Sequence, residues 1–273
     1  MSTSSAPAKI NLALVVGPRR TEDGKHEVAT VLQRVDLADS LSLEPGAVLC
    51  VTGFEGDTLV RSALLELAAA AGVEPAWHAR IEKRIPVAAG LGGASSDAAA
   101  ALRLANDTLA EPLLQEELIR IAAGVGADVP FFLAPGAQLG TSDGTQLEPL
   151  DLPLDYHVLL LLPADATKPS TVAVYDAFDR RAGEVGFEAR RQELLEVLGK
   201  VRTARDLAAL SRNDLASSPL AVELDGLGAF RADVSGAGPM VYGLFEREEG
   251  CLAAAAALSG LGTTWICTPT WYG

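Results

Sequence analysis

The chain has 273 residues, 49% of them hydrophobic and 5% aromatic, which predicts one large domain or two moderate ones with a mostly aliphatic core. Its formal net charge of −14 argues against a general nucleic-acid binder, which needs a basic face, and disfavours docking on anionic membranes. The three cysteines form no CxxC pair, so thiols in a reducing compartment are favoured over a metal site or a disulfide framework. The sequence predicts neither a signal peptide nor a bilayer-spanning run, so we expect a cytoplasmic protein.

Hydrophobic periodicity and turn residues predict the elements of the first half in chain order. An apolar strand at 8–17 is followed by a pair of strands at 30–35 and 39–43, and by a short strand at 48–53. A helix at 57–73 has Gly72 as a typical C-cap, and a half-exposed strand follows at 76–86. Helices at about 95–109 and 113–126 lead into the segment 127–150.

The pattern changes near residue 150, where a proline-bearing link precedes a new central strand within 150–164. Helices are then predicted at 170–180, 189–201 and 204–215, followed by a strand, a glycine turn and a strand within 232–246. A helix at 249–261 and a closing strand at 263–271 complete the chain. Interleaved elements without strict βαβ periodicity favour an α+β fold of two lobes, 1–150 and 151–273.

The segment PVAAGLGGASS places small residues directly before a predicted helix. Glycines remove Cβ bulk and permit positive φ, so several backbone N–H groups could converge on one phosphate at the positive end of the helix. Ser95 and Ser96 could cap the helix, bind a phosphate oxygen or help to hold Mg²⁺. The segment fits neither GxxxxGK[ST] nor GxGxxG. Taken alone, it favours a structural turn and an anion site about equally.

Three further features carry possible chemistry. Asp128 follows two small residues and precedes an apolar run, where a carboxylate could act as a base near a substrate hydroxyl. An isolated aspartate that caps a turn is the favoured alternative there. The SGAG turn at 235–238 could be an ordinary hairpin. Lys9 and Asn11 lie two residues apart, and so on one face of the first strand, among apolar neighbours.

Taken together, these features point to a family. PVAAGLGGASSDAAAAL, GADVPFFL and VSGAGPMVYGLF, in this order and spacing, resemble the three motifs of the GHMP kinases, which phosphorylate galactose, homoserine, mevalonate and related alcohols. APAKINLALVV, DGKHEVATVLQRVDLADSLSL, TKPSTVAVYDAFD, SRNDL and TTWICTPTW narrow the resemblance to members that act on a cytidine diphosphate-linked methylerythritol. The resemblance covers nearly the whole chain. It implies a two-lobed α+β fold with a ribosomal protein S5 domain 2-like N-terminal lobe and a ferredoxin-like C-terminal lobe.

The resemblance also implies an activity, which is ATP-dependent phosphorylation of the substrate 2-hydroxyl, with Mg²⁺ bridging the ATP phosphates. Asp128 would be the base, and Lys9 would lie beside it and stabilise charge on the transferring phosphoryl group. The residues that would wrap the ATP phosphates are Pro86, Val87, Ala88, Ala89, Gly90, Leu91, Gly92, Gly93, Ala94, Ser95 and Ser96, with Ser96 a direct or water-mediated contact of Mg²⁺. The substrate-binding residues would be Asn11, Lys25, His26, Ser235 and Gly236, with His26 on the cytosine edge. A monomer or a homodimer is expected.

The chain departs from the family pattern at several positions. Lys25 stands where the family usually has a tyrosine that stacks on cytosine, although a lysine could cover the base by its stem or a cation–π contact. Thr58 stands where the family has an asparagine, and Ala88 and Ala89 replace frequent glycines. An acceptor alcohol of the homoserine or mevalonate type therefore stays open, as does a non-catalytic nucleotide-binding relative. The presence of both Lys9 and Asp128 argues against the latter.

Overall fold

Two long paired strands, β1 (Ser2–Arg19) and β2 (His26–Pro45), organise the first lobe. The computed structural model describes residues 1–166 and 170–272. The expected pair of strands at 30–35 and 39–43 is wrong, because β2 is one continuous strand. Asp39, where the second strand was predicted to begin, is buried, and its carboxylate accepts backbone N–H groups. Register shifts between β1 and β2 absorb the irregularity without ending the strand.

The first sheet has β2 at its centre. Besides β1, β2 pairs with β4 (Trp77–Glu82) near its carboxyl end and with β5 (Ala137–Ser142) near its amino end. At the edges, β3 (Cys50–Thr52) lies parallel to β4, and β6 (Gln146–Leu150) lies antiparallel to β5. This sheet therefore brings the two ends of β2 into contact with elements from distant parts of the first lobe.

Four helices pack on this sheet, and they are α1 (Leu59–Ala71), α2 (Gly93–Asn106), α3 (Gln115–Val125) and α4 (Val129–Leu133). Five alanines of α2 are fully buried, which lets this helix lie close to its neighbours, and they are Ala98, Ala99, Ala100, Ala101 and Ala105. Gly72 ends α1 with a φ of 66°, as its sequence position predicts. The predicted helix from residue 95 begins two residues earlier, at Gly93.

The second lobe is an antiparallel sheet with helices. Its elements are β7 (His157–Pro163), α5 (Thr171–Arg180), α6 (Phe187–Leu198), a 3-10 helix (Ala204–Ala209), α7 (Pro219–Gly226), β8 (Arg231–Val234), β9 (Val241–Phe245), α8 (Glu248–Ala257) and β10 (Gly262–Cys267). The strand order β10-β7-β9-β8 is that of a ferredoxin-like βαββαβ arrangement. The first three residues of the TKPSTVAVYDAFD motif, 167–169, lie outside the described residues.

Three predictions for the second lobe need correction. The helix predicted at 204–215 is only the short 3-10 turn, since extended backbone resumes at Leu210. Helix α7 was not expected, yet Ser218 caps it and Pro219 occupies its first turn. The strand predicted at 263–271 is two strands in two sheets, because β11 (Pro269–Thr270) pairs with β2 in the first lobe.

The two lobes share a core. One cluster of buried side chains joins Ile10 and Val31 of the first sheet to Leu160 of the second sheet and Leu194 of α6. A hydrogen bond of 3.0 Å from the Tyr242 hydroxyl to the backbone carbonyl of Asn11 crosses the same interface. A division near residue 150 stays a prediction. In the described part of the chain, no helix combines the length and apolar character that crossing a bilayer requires.

Candidate active site

A cleft of about 640 Å³ lies where the lobes meet. Its walls come from β1, β2, the loop between β4 and α2, the start of α4, the turn between β5 and β6, α5, and the turn between β8 and β9. Its volume and its mixture of apolar walls with a few polar groups are typical of a small-molecule site. Most of the site residues proposed from the sequence line this one cleft.

The glycine-rich loop is shaped by close backbone contacts. Its φ angles are 61° at Ala88, 89° at Gly90 and 69° at Gly92. A Cβ atom on Gly90 would lie 2.3 Å from the carbonyl oxygen of Ser235, so only glycine fits against the SGAG turn. The Ser235 hydroxyl donates to the Gly90 carbonyl at 3.0 Å. The loop and the SGAG turn therefore form one unit, which ties the second lobe to the wall of the cleft.

The N-terminus of α2 follows this loop directly. Gly92 precedes the helix in the left-handed region, and no side chain caps the first turn, so capping, one of the three possibilities for Ser95 and Ser96, does not occur. Uncapped N–H groups and the helix dipole at this point suit an anionic ligand. Ser95 lines the cleft. Ser96 is buried, and its hydroxyl has no hydrogen-bond partner among the described residues.

Lys9 and Asp128 meet in the cleft. Lys9 Nζ lies 3.5 Å from Asp128 Oδ2, with the Lys9 side chain 5% exposed and that of Asp128 41% exposed. Lys9 Nζ also donates to Asn11 Oδ1 at 2.8 Å, and Asn11 Nδ2 donates to Thr30 Oγ1 at 2.8 Å. The ammonium is thus held from two sides, while the carboxylate stays open to a ligand.

Asp128 immediately precedes α4, but its side chain makes no capping hydrogen bond there. The alternative that it merely caps a turn is therefore not supported. The backbone N–H of Lys9 donates to the Leu91 carbonyl at 2.9 Å, which places the glycine-rich loop directly against β1. A carboxylate, an ammonium and a helix N-terminus consequently border the same space.

His26 and Lys25 lie on the cleft wall where β2 begins. The His26 ring stacks on Tyr175 with centroids 4.7 Å apart and planes at 28°, and its Nε2 lies 2.7 Å from Asp179 Oδ1. Burial, followed by the charge of Asp128, raises the pKa of Tyr175 to about 12. The phenol is therefore neutral at ordinary pH, and a stacked pair of aromatic rings lies near the carboxylate of Asp128.

The two residues proposed in the SGAG turn are placed differently. Gly236 lines the cleft, whereas Ser235 is fully buried and contacts the glycine-rich loop. Of the residues proposed to wrap a phosphate, those from Pro86 to Ser95 line the cleft and Ser96 lies behind it. The roles of all these residues remain predictions.

Sequence reasoning missed a buried ion cluster behind the glycine-rich loop. Lys83 lines the cleft, and its ammonium contacts Asp39 and, at 2.8 Å, Asp97 of α2. Asp39 also accepts the backbone N–H of Ile85 at 2.8 Å. Burial raises the pKa of Asp97 to about 7, and the charge of Asp39, which shares the Lys83 ammonium, acts in the same direction. The sequence signal for this cluster was Lys83, close before Pro86, but the two carboxylates that it contacts lie in other elements of the chain.

The fold and the cleft together define a GHMP kinase. Residues 58–136 match the family described as GHMP kinases N terminal domain. A crystal structure of a mevalonate kinase superposes with a TM-score of 0.76 over 99% of this chain and 100% of that chain, at 14% identity, which shows the shared fold. The predicted two-lobed α+β fold and the family resemblance are confirmed.

Relatives at higher identity narrow the family. A 4-diphosphocytidyl-2-C-methyl-D-erythritol kinase of Streptomyces avermitilis is 39% identical over 96% of this chain and 93% of the relative. The enzyme of the same name from Anaeromyxobacter dehalogenans is 38% identical over 93% and 84%. A crystal structure of a 4-(cytidine 5'-diphospho)-2C-methyl-D-erythritol kinase is 31% identical, with a TM-score of 0.79 over 98% of this chain and 99% of that chain. This chain belongs to the 4-diphosphocytidyl-2-C-methyl-D-erythritol kinase family.

Proposed function

We propose that this protein transfers the γ-phosphoryl group of ATP to the 2-hydroxyl of 4-diphosphocytidyl-2-C-methyl-D-erythritol. The observation that carries the proposal is the Lys9–Asp128 pair, 3.5 Å apart, in a cleft that the glycine-rich loop also lines. A carboxylate beside an ammonium at a phosphate-binding helix N-terminus is what an alcohol kinase needs. The names of the relatives supply the identity of the alcohol.

In this proposal Asp128 accepts the proton of the 2-hydroxyl as the oxygen attacks phosphorus. Asp128 has an exposed face for the substrate, and α4 begins at the next residue. Lys9 stabilises the negative charge on the transferring phosphoryl group, and its bond to Asn11 keeps the ammonium in place. Catalysis then comes from positioning and electrostatics, without a covalent enzyme intermediate.

The loop from Pro86 to Ser95 and the N-terminus of α2 would bind the ATP phosphates through backbone N–H groups. Among the described residues, no cluster of three or more His, Cys, Asp or Glu could hold a metal ion. Mg²⁺ would therefore be bound chiefly by phosphate oxygens, which this ion prefers, and would neutralise charge on them. The unpartnered hydroxyl of Ser96 and the cleft-facing Ser95 are the protein groups that fit such an ion.

The cytidine end of the acceptor would lie against His26 and Tyr175. Because Asp179 holds Nε2 of His26, Nδ1 is the ring nitrogen that remains for the cytosine edge. Lys25, which precedes His26, would contact the nucleobase, and Gly236 would contact the rest of the acceptor, since both line the cleft. We further propose that the protein acts in the cytoplasm as a monomer or homodimer, without nucleic acid or membrane partners. The net charge of −14 argues against partners with anionic surfaces, such as nucleic acids and membranes.

The test is release of ADP by the purified protein with ATP, Mg²⁺ and 4-diphosphocytidyl-2-C-methyl-D-erythritol. Homoserine and mevalonate serve as competing acceptors in parallel reactions. We expect turnover only with the cytidyl alcohol, and loss of that turnover in Asp128→Asn. Release at background level with the cytidyl alcohol would refute the substrate, and turnover with another alcohol would replace it.

A further inference from the structure

A nearly buried carboxylate and a half-exposed lysine form an ion pair in the wall of the cleft, and the mechanism above leaves the carboxylate without a role. Lys25 Nζ lies 2.6 Å from Asp143 Oδ2, although the residues are 118 positions apart. The side chain of Lys25 is 53% exposed, and that of Asp143 only 9%. Both residues line the cleft.

Asp143 is the fixed member of this pair. It lies in the turn between β5 and β6, directly after Ser142, the last residue of β5 that pairs with β2. Thr145 Oγ1 donates to Asp143 Oδ1 at 2.6 Å. Arg20 hydrogen-bonds Ser142 and has Nη1 3.9 Å from Asp143 Oδ1. The carboxylate is thus anchored by its own turn, whereas Lys25 depends on it.

The neighbour of Lys25 is the fixed ring of His26. That ring is held between Tyr175, at a centroid distance of 4.7 Å, and the carboxylate of Asp179. Lys25 and His26 both line the cleft, and a lysine without a partner there would move in solvent and leave its part of the wall undefined. Its bond to Asp143 fixes the four-carbon stem and balances the charge of the ammonium.

We propose that Asp143 is a positioning residue that sets specificity for the cytidine end of the acceptor, because it holds Lys25 with its apolar stem against the nucleobase. The inference rests on the proposed function. Long cationic side chains cover apolar surfaces with their stems while the charged head stays at a polar partner. A side chain that is already ordered before the ligand arrives removes an ordering cost from binding.

An opposite role makes an opposite prediction. If Lys25 bound the diphosphate of the acceptor through its charge, the carboxylate of Asp143 would compete with the ligand. Removing that carboxylate would then tighten binding. The sign of the change in affinity therefore separates a positioned stem from a charge that attracts phosphate.

The test is Asp143→Asn, measured by steady-state kinetics and by calorimetric binding of cytidine 5′-diphosphate without ATP. We expect the KM for the cytidyl alcohol and the Kd for cytidine 5′-diphosphate to rise about three- to tenfold, with kcat and the KM for ATP unchanged. Lys25→Met, which spares the turn, should raise the same two constants, and the double variant should be no worse than either single one. Glu246→Gln, which breaks an exposed ion pair with Arg205 outside the cleft, is the matched control.

Unchanged or lower values of the KM and the Kd in Asp143→Asn would overturn the inference, as would additive effects in the double variant. If Asp143→Asn does not fold, binding of cytidine, which lacks the diphosphate, to Lys25→Met decides, because Lys25 is half exposed and lies outside the turn. A Kd for cytidine above that of the wild type supports the stem contact, and an unchanged Kd overturns it. Wild-type protein that binds cytidine 5′-diphosphate but does not phosphorylate the cytidyl alcohol would refute the proposed function alone. The binding measurements on the variants would still decide the role of Asp143.

Discussion

Replacing Lys9 by methionine removes one charge from the proposed reaction centre and keeps the stem that packs under Gly92. Lys9 Cγ would lie 3.1 Å from a Cβ at Gly92, so the stem is part of the wall. Its Nζ lies 3.5 Å from Asp128 Oδ2, which places it within about one hydrogen-bond length of a hydroxyl bound there. A unit charge at about 4 Å, with an effective dielectric constant of about 20, contributes about 4 kcal/mol.

Only the part of that interaction that grows between the ground state and the transition state changes kcat. A growth of about 2 to 4 kcal/mol corresponds to a decrease in kcat of about 30- to 1000-fold. We expect Lys9→Met to lower kcat within that range while the KM for ATP changes less than about threefold. Initial rates of ADP release at varied ATP and saturating acceptor measure both constants.

Two controls make the measurement of Lys9 specific. Lys200→Met removes an exposed lysine outside the cleft and should leave both constants unchanged. Lys9→Met combined with Asp128→Asn should lose less activity than the product of the single losses, because the two groups act together. A raised KM for ATP with unchanged kcat in Lys9→Met would refute the assignment of Lys9 to the transferring phosphoryl group.

Four further predictions concern the loop and stability. Gly90→Ala should disrupt the contact between the loop and the SGAG turn and raise the KM for ATP. Ala88→Gly should relieve about 1 kcal/mol of backbone strain, because Ala88 has a φ of 61°, and thermal unfolding measures the gain. Arg34→Met should lower the free energy of unfolding in urea by about 3 kcal/mol, because buried carbonyl groups lose their hydrogen-bond donor. Arg80→Met, at an exposed ion pair, should lower it by almost nothing. Equal losses in the two variants would contradict the assignment. Burial raises the pKa of Asp97 to about 7, so the folded protein holds this proton over a pH range in which the unfolded chain releases it. The free energy of unfolding of the wild type should therefore fall relative to that of Asp97→Asn as pH rises from about 4 to 7, by up to about 1.4 kcal/mol per pH unit. Parallel plots of unfolding free energy against pH for the two proteins would disprove it.

Much of the fold was predictable because its signals are local. The apolar alternation of β4 and the glycine after α1 each fix one element from a few residues. The glycine-rich loop was ambiguous alone, and only its order with Asp128 and the SGAG turn indicated a kinase. What the structure adds is the reason for its small residues, since Gly90 lies against the backbone of Ser235 as well as beside the cleft.

The missed polar contacts depend on residues distant in sequence. The contacts of Asp39 were missed because its partners, Lys83 and Ile85, follow more than forty positions later. The position of Asp143 gave no sign of a partnership with Lys25, which is 118 positions away. Periodicity reports which face of an element is buried, but it does not report which polar side chains meet across the fold.

The short strand β11 has a consequence for how the chain reaches its final state. Gln33 Nε2 donates to the Thr270 carbonyl at 3.2 Å across a separation of 237 residues. During synthesis, the first sheet therefore stays incomplete at β2 until the whole second lobe has followed it. A protein cut after Cys267 would keep every residue that lines the cleft, yet it would leave the edge of β2 beside the buried Arg34 unpaired. The first lobe is therefore completed last, when β11 pairs with β2, one of the first strands to be synthesised.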